Sequence, residues 1–200
     1  MPSSQKKAQI TVFAIIAILI VASVSLFFYL RAKPSAVPAE FRPVENYFLG
    51  CIENKVKEGA DLLGAQAGYI ELPRFEAGSE YMPFSSQIDF LGTAVPYWFY
   101  ISGNNIMKQQ VPSLQSMEKQ LSNFLNEEIK DCDFSEFENR GYNIVIGDIR
   151  ATTKINDNEI KVSIDAPLTI NYGDSSARIM KRELNINSKI GKFYKIAKGI

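Results

Sequence analysis

"EIKVSIDAPLTIN", residues 159–171, decides the fold. Ile160, Val162, Ile164, Ala166, Leu168 and Ile170 alternate with Lys161, Ser163, Asp165, Pro167, Thr169 and Asn171. A strict period of two predicts an antiparallel strand with one face on a core and the other in water. Pro167 falls on the wet side. It cannot donate to a ladder, so it marks either an edge position or a bend. Turn-forming residues bracket the strand: "NDN" at 156–158 and "YGDSS" at 172–176. Upstream, "YNIVIGDI" (142–149) starts the same period; downstream, "ARIMKRELNINSKI" (177–190) returns as a third long strand. The last ten residues, "GKFYKIAKGI", are basic, and either pack on the sheet or lie on a membrane surface.

N-terminal to the sheet the apolar period lengthens. In residues 44–64, Val44, Phe48, Cys51, Ile52, Val56, Gly59, Leu62 and Leu63 recur every three or four positions, the stripe of an amphipathic helix. Pro43 fits the first turn, Gly64 fits the end, and a glycine on the packed stripe admits close approach of another element. In residues 112–132, Leu114, Met117, Leu121, Phe124, Leu125 and Ile129 form a second stripe behind Ser113, an expected N-cap. Residues 65–105 between the helices read as irregular, punctuated by Gly and Pro. Inside them, "VPYWFYI" (95–101) is read as a buried strand, against a sugar- or partner-binding surface as the alternative. The fold class expected is α+β: two amphipathic helices on an antiparallel sheet of three to five strands, preceded by a transmembrane helix.

That last expectation rests on residues 10–30, which hold no charge and only Thr11, Ser23 and Ser25 as polar residues. Twenty-one residues of helix span about 30 Å, the thickness of a hydrocarbon core. A secretory h-region is shorter and ends at a small-residue cleavage site, which is missing here. Residues 31–43 carry Pro34, Pro38 and Pro43 and read as an extended stalk. The expected division is therefore a basic leader at 1–9, a membrane span at 10–30, a stalk at 31–43 and an extracytoplasmic domain at 44–200.

Lys6-Lys7-Ala8-Gln9 followed at once by the apolar run resembles the leader of archaeal type IV pilin-like (class III) precursors. That resemblance implies cleavage between Ala8 and Gln9. The chain departs from the pattern at Phe13, where an acidic residue is expected, and the stalk prolines depart from the unbroken first helix of many pilins. Taken whole, the chain is similar to single-pass surface proteins of small-genome archaea that have no assigned activity, which implies a location rather than a reaction.

Cys51 and Cys132 are the only cysteines, 81 positions apart, so CxxC chemistry is excluded. Two readings stand: one disulfide in an oxidising exterior, or two buried thiols packing as small hydrophobes. The first joins the front half of one helix to the tail of the other. It also places the N-terminus in the cytoplasm and the domain outside, anchored to the cell membrane.

There is no histidine, which removes the commonest general base and zinc ligand. Asp148, Asp157, Glu159 and Asp174 lie near turns of the expected sheet, but lack calcium-loop spacing; turn formation accounts for them. Ser85, Ser86, Ser175 and Ser176 have no base in view. Residues 34–200 carry 18 Lys and Arg against 22 Asp and Glu, a net of −4, which argues against nucleic acid. No catalytic residue, cofactor or metal site is expected. The expected partners are the lipid bilayer through residues 10–30 and a protein partner or further copies of the chain. The leading expectation is a non-enzymatic surface domain; a pilin-like subunit stands second and a carboxylate-based enzyme ectodomain third.

Overall fold

The computed structural model describes residues 16–24, 37–81 and 85–199. The chain divides into two compact units, Met1–Val37 and Pro38–Ile200. In the first, residues 16–24 are helical (α1) and all nine are exposed. Residues 10–15 and 25–30 of the expected span lie outside the described residues, as do Ala8, Gln9 and residues 31–36 of the stalk. Among the described residues no helix is long and apolar enough to cross a membrane.

The second unit is α+β. Helix α2 (Arg42–Ala65) buries Val44, Phe48, Ile52, Val56, Gly59 and Leu63. The two C-terminal residues of the expected stalk thus belong to its first turn. Its end differs from expectation: Gly64 stays helical, and the chain turns at Ala67 (φ 53°) and Gly68 (φ 91°). There the Gly68 N–H closes on the Leu63 carbonyl at 2.7 Å. A left-handed pair ends the helix by satisfying an orphan carbonyl; Gly64 meets no such demand.

Helix α3 (Leu114–Glu128) starts where Ser113 caps it, Oγ accepting from the Ser116 N–H at 3.0 Å, as the sequence predicts. It buries Met117, Leu121 and Leu125 and tightens into a 3₁₀ turn, Ile129–Asp131. Helices α2 and α3 meet at Gly59: a Cβ there would lie 2.4 Å from Leu121 Cδ1. This is the close approach a glycine permits. Lys55 ties the pair, its Nζ 2.7 Å from Glu128 on α3. Cys51 and Cys132 form a disulfide with Cα atoms 6.1 Å apart, which resolves the two readings left by the sequence. Beyond it, Phe134 and Phe137 of the short α4 (Ser135–Glu138) segment pack on Tyr47 with centroids 5.4 Å away.

The main sheet has four antiparallel strands: β5 (Tyr142–Ile146), β6 (Arg150–Ile155), β7 (Glu159–Tyr172) and β8 (Ser175–Asn187). β7 is central. β8 pairs along one side of it, while β5 and β6 lie end to end along the other. The alternation of β7 holds throughout, with Ile160, Val162, Ile164, Ala166, Leu168 and Ile170 buried on the helix side. Pro167 marks the bend and not an edge: the β7–β8 register shifts between Asp165 and Leu168. The break between β5 and β6 falls at the same level, where the Gly147 N–H donates to the Pro167 carbonyl at 2.7 Å. A proline is tolerated in a central strand where a bulge has already interrupted the ladder.

The segment expected to be irregular holds two small hairpins, β1 (Gln87–Phe90) with β2 (Thr93–Pro96) and β3 (Phe99–Ile101) with β4 (Met107–Gln109). The first turns through Leu91 (φ 53°) and Gly92 (φ 84°), a two-residue loop of the type that matches strand twist. Leucine replaces the usual Asn or Asp in its first position, which hid the hairpin in the sequence. The expected third strand stops at Asn187, and the basic tail forms a helix, α5 (Ile190–Lys198).

Candidate functional site

The four acids singled out in the sequence do not converge. Asp174 lies in the β7–β8 turn, and Asp148 on the exposed face beside the Pro167 bend. Asp157 and Glu159 share a hollow of about 950 Å³ with Glu118 from α3 and Lys195 from α5. Each carboxylate there has a cationic neighbour: Asp157 with Lys195 at 2.5 Å, Glu159 with Lys161 at 3.3 Å, Glu118 with Lys154 at 3.4 Å. Glu118 also accepts from the Ile155 N–H at 2.9 Å. Among the described residues, no group of three Asp, Glu, Cys or His could hold a metal ion. The hollow offers fixed ion pairs and amides, which suit polar recognition.

The loop serines have structural partners. Ser86 is buried; its Oγ accepts from the Glu76 N–H, and its carbonyl from the Tyr97 N–H and Gln110 Nε2. It knots the bases of the two hairpins together. Ser175 and Ser176 open β8 opposite Tyr172 and Asn171.

A different pattern of groups stands at the end of the unit remote from Pro38. Helix α2 is about 36 Å long at 1.5 Å per residue, and the hairpins, the start of α3 and α5 follow or face its far end. The aromatic run 97–100 lies here, and it is not the buried strand expected. Trp98 is half-buried, donating Nε1–H to the Ala67 carbonyl at 2.8 Å and packing on Tyr194, whereas Phe99 is 57 % exposed. Leu91, at the tip of the first hairpin, is 92 % exposed. An apolar groove of about 400 Å³ runs between α2 and α5, lined by Leu63, Gly68, Trp98, Met117, Phe193 and Tyr194.

Electrostatics at this end are local. Lys108 on β4 reaches both carboxylate oxygens of Glu76 at 2.7 Å. That hydrogen bond holds the Glu76 carboxyl below its ordinary value and raises the Lys108 ammonium. Burial raises the Tyr69 phenol, whose O–H donates to the Gln110 carbonyl.

Helix α5 is seated here by Gly191. A Cβ at that position would lie 2.3 Å from the Asn156 carbonyl oxygen, so only glycine lets the helix sit down on the β6–β7 turn. Sequence reasoning missed this element because it is nine residues long and begins beside a glycine, a residue unfavourable in helices. The signal that could have found it is the spacing of Gly191, Tyr194 and Lys198 on one side against Lys192, Phe193 and Ile196 on the other.

No family model, curated protein or solved structure matches the chain.

Proposed function

We propose that this protein is a single-pass membrane-anchored domain with a structural or partner-binding role at the cell surface. Residues 10–30 span the membrane of the cell, the N-terminus stays in the cytoplasm, and the α+β unit stands outside. The observation that carries the reading is the Cys51–Cys132 disulfide, which follows a 21-residue uncharged run and belongs in an oxidising compartment. The exposed apolar residues at the far end of the unit support a binding role, because patches of this kind mark interaction surfaces.

Fractionation of expressing cells tests the anchor. The chain should leave the membrane only with detergent, and its thiols should resist alkylation until a reductant is added. A chain recovered from the cytosol with both thiols reactive would end the proposal. The second reading is a filament subunit processed between Ala8 and Gln9, supported by the leader Lys6-Lys7-Ala8-Gln9. Mass spectrometry of the mature N-terminus separates the two: a chain beginning at Gln9 favours the subunit, an intact leader favours the plain anchor. A carboxylate-based ectodomain ranks third, since the acids nearest one another are already ion-paired.

A further inference from the structure

Helix α5 has two faces with opposite duties. Gly191 and Tyr194 turn inward and are buried. Lys189, Lys192, Phe193 and Ile196 follow one another at i, i+3, i+4 and i+7, which gathers them on one face, directed away from the packed one. All four are exposed, Phe193 to 62 % and Ile196 to 53 %. The other two lysines of the helix are engaged at its flanks, Lys195 with Asp157 and Lys198 over the Tyr194 ring at 6.0 Å. Lys189 and Lys192 have no ion-pair partner among the described residues; Asp61 of α2 lines the same groove as Lys189.

Charge is segregated along the chain. Residues 188–200 carry four lysines and no acid, whereas residues 34–187 carry 14 Lys and Arg against 22 Asp and Glu, a net of −8. A body so charged is repelled by an anionic surface and its α5 end is attracted, so the field itself turns the stripe toward such a surface.

We infer that the outward face of α5 docks on an anionic lipid bilayer, with Phe193 and Ile196 entering the headgroup boundary and Lys189 and Lys192 meeting lipid phosphates. A basic helix with exposed apolar side chains among its lysines is the arrangement that lies in a membrane interface; Phe193 stands at the rim of the groove beside α2, and Ile196 outside it. Lysines set between them keep their stems with the apolar residues and their ammonium groups in water. The inference does not rest on residues 10–30.

The test uses the Pro38–Ile200 unit, with near-ultraviolet circular dichroism as the check that each variant is folded. Vesicles of phosphatidylcholine alone and of phosphatidylcholine mixed with phosphatidylglycerol are the probes, read by co-sedimentation. Binding is expected to the mixed vesicles only and to weaken with salt. Lys189→Gln with Lys192→Gln should weaken it about 25-fold, roughly fivefold per lysine. Phe193→Ser with Ile196→Ser should abolish it, and Lys161→Gln, on the sheet, should leave it unchanged.

Phe193→Trp should shift its emission to the blue on mixed vesicles and not on neutral ones. Absence of binding, equal binding to both vesicles, or equal weakening by Lys161→Gln overturns the inference. So does lipid-free self-association that Phe193→Ser with Ile196→Ser removes, which would assign the stripe to a second copy. Because the unit lacks residues 10–30, failure here leaves the anchor standing, and failure of the anchor leaves this untouched.

Discussion

Removing the Ser122 hydroxyl should open one rung of a ladder that α3 builds against an edge strand. β6 pairs with β7 on one side; on the other, its Ala151, Thr153 and Ile155 N–H groups face the helix. Asn126 accepts from Ala151 at 2.7 Å, Ser122 from Thr153 at 3.0 Å and Glu118 from Ile155 at 2.9 Å. The spacing works because four helical residues rise about 6.0 Å and two strand residues about 6.7 Å. Side chains at i, i+4 and i+8 therefore keep step with alternate strand amides, and the edge is covered instead of open.

In Ser122→Ala the Thr153 N–H loses its acceptor at a residue only 5 % exposed. A buried orphan donor costs about 1–3 kcal/mol. Thr153 keeps its own hydroxyl bond to the Glu118 carbonyl at 2.7 Å; the Ser122 hydroxyl's contacts with that carbonyl at 2.8 Å and with Thr153 Oγ1 at 3.1 Å go with it, but the Thr153 N–H is the donor left without a partner. For a domain of this size the melting temperature should fall by about 2–12 °C. Thermal and urea melts of the oxidised Pro38–Ile200 unit measure the energy. Hydrogen exchange locates it: the Thr153 amide should lose protection more than Ala151 or Ile155. Unchanged melting, or amides 151, 153 and 155 that already exchange freely in the parent, would refute the ladder.

Cys51→Ala with Cys132→Ala frees a loop of 81 positions and should lower stability by about 4 kcal/mol in the chain-entropy view, read by urea melts. Gly59→Ala should cost about 1–3 kcal/mol through the clash with Leu121, despite the better helix propensity of alanine; a neutral result would mean the Leu121 and Phe124 side chains give way at no cost. Glu76 should titrate below the ordinary glutamate range by NMR, because Lys108 hydrogen-bonds its charged form. Its folded value is depressed, so its contribution is present above the unfolded value and is lost as pH falls through the folded one. Lys108→Met should return the midpoint to the ordinary range.

The elements legible in the residues alone are those whose partner is a single apolar core. Alternation alone placed β7, and the three-and-four spacing placed α2 and α3, because burying one face imposes its period on the residues. The sequence also supplied Ser113 as the cap and Gly59 as a site of close approach. Tertiary structure decided what depends on distant backbone. Whether Pro167 bends or edges its strand turns on β5 and β6 lying end to end beside it, and no local period records that. Leu91 hides a hairpin because its turn geometry is set by paired strands rather than by its own preference. The fate of Asp157 and Glu118 rests on Lys195 of α5 and Lys154 of β6, elements distant in the sequence, whereas Glu159 pairs with Lys161 of its own strand. Nor could Cys51 and Cys132 declare themselves bonded until two helices had brought their Cα atoms to 6.1 Å, since proximity across 81 positions is a property of the packed chain.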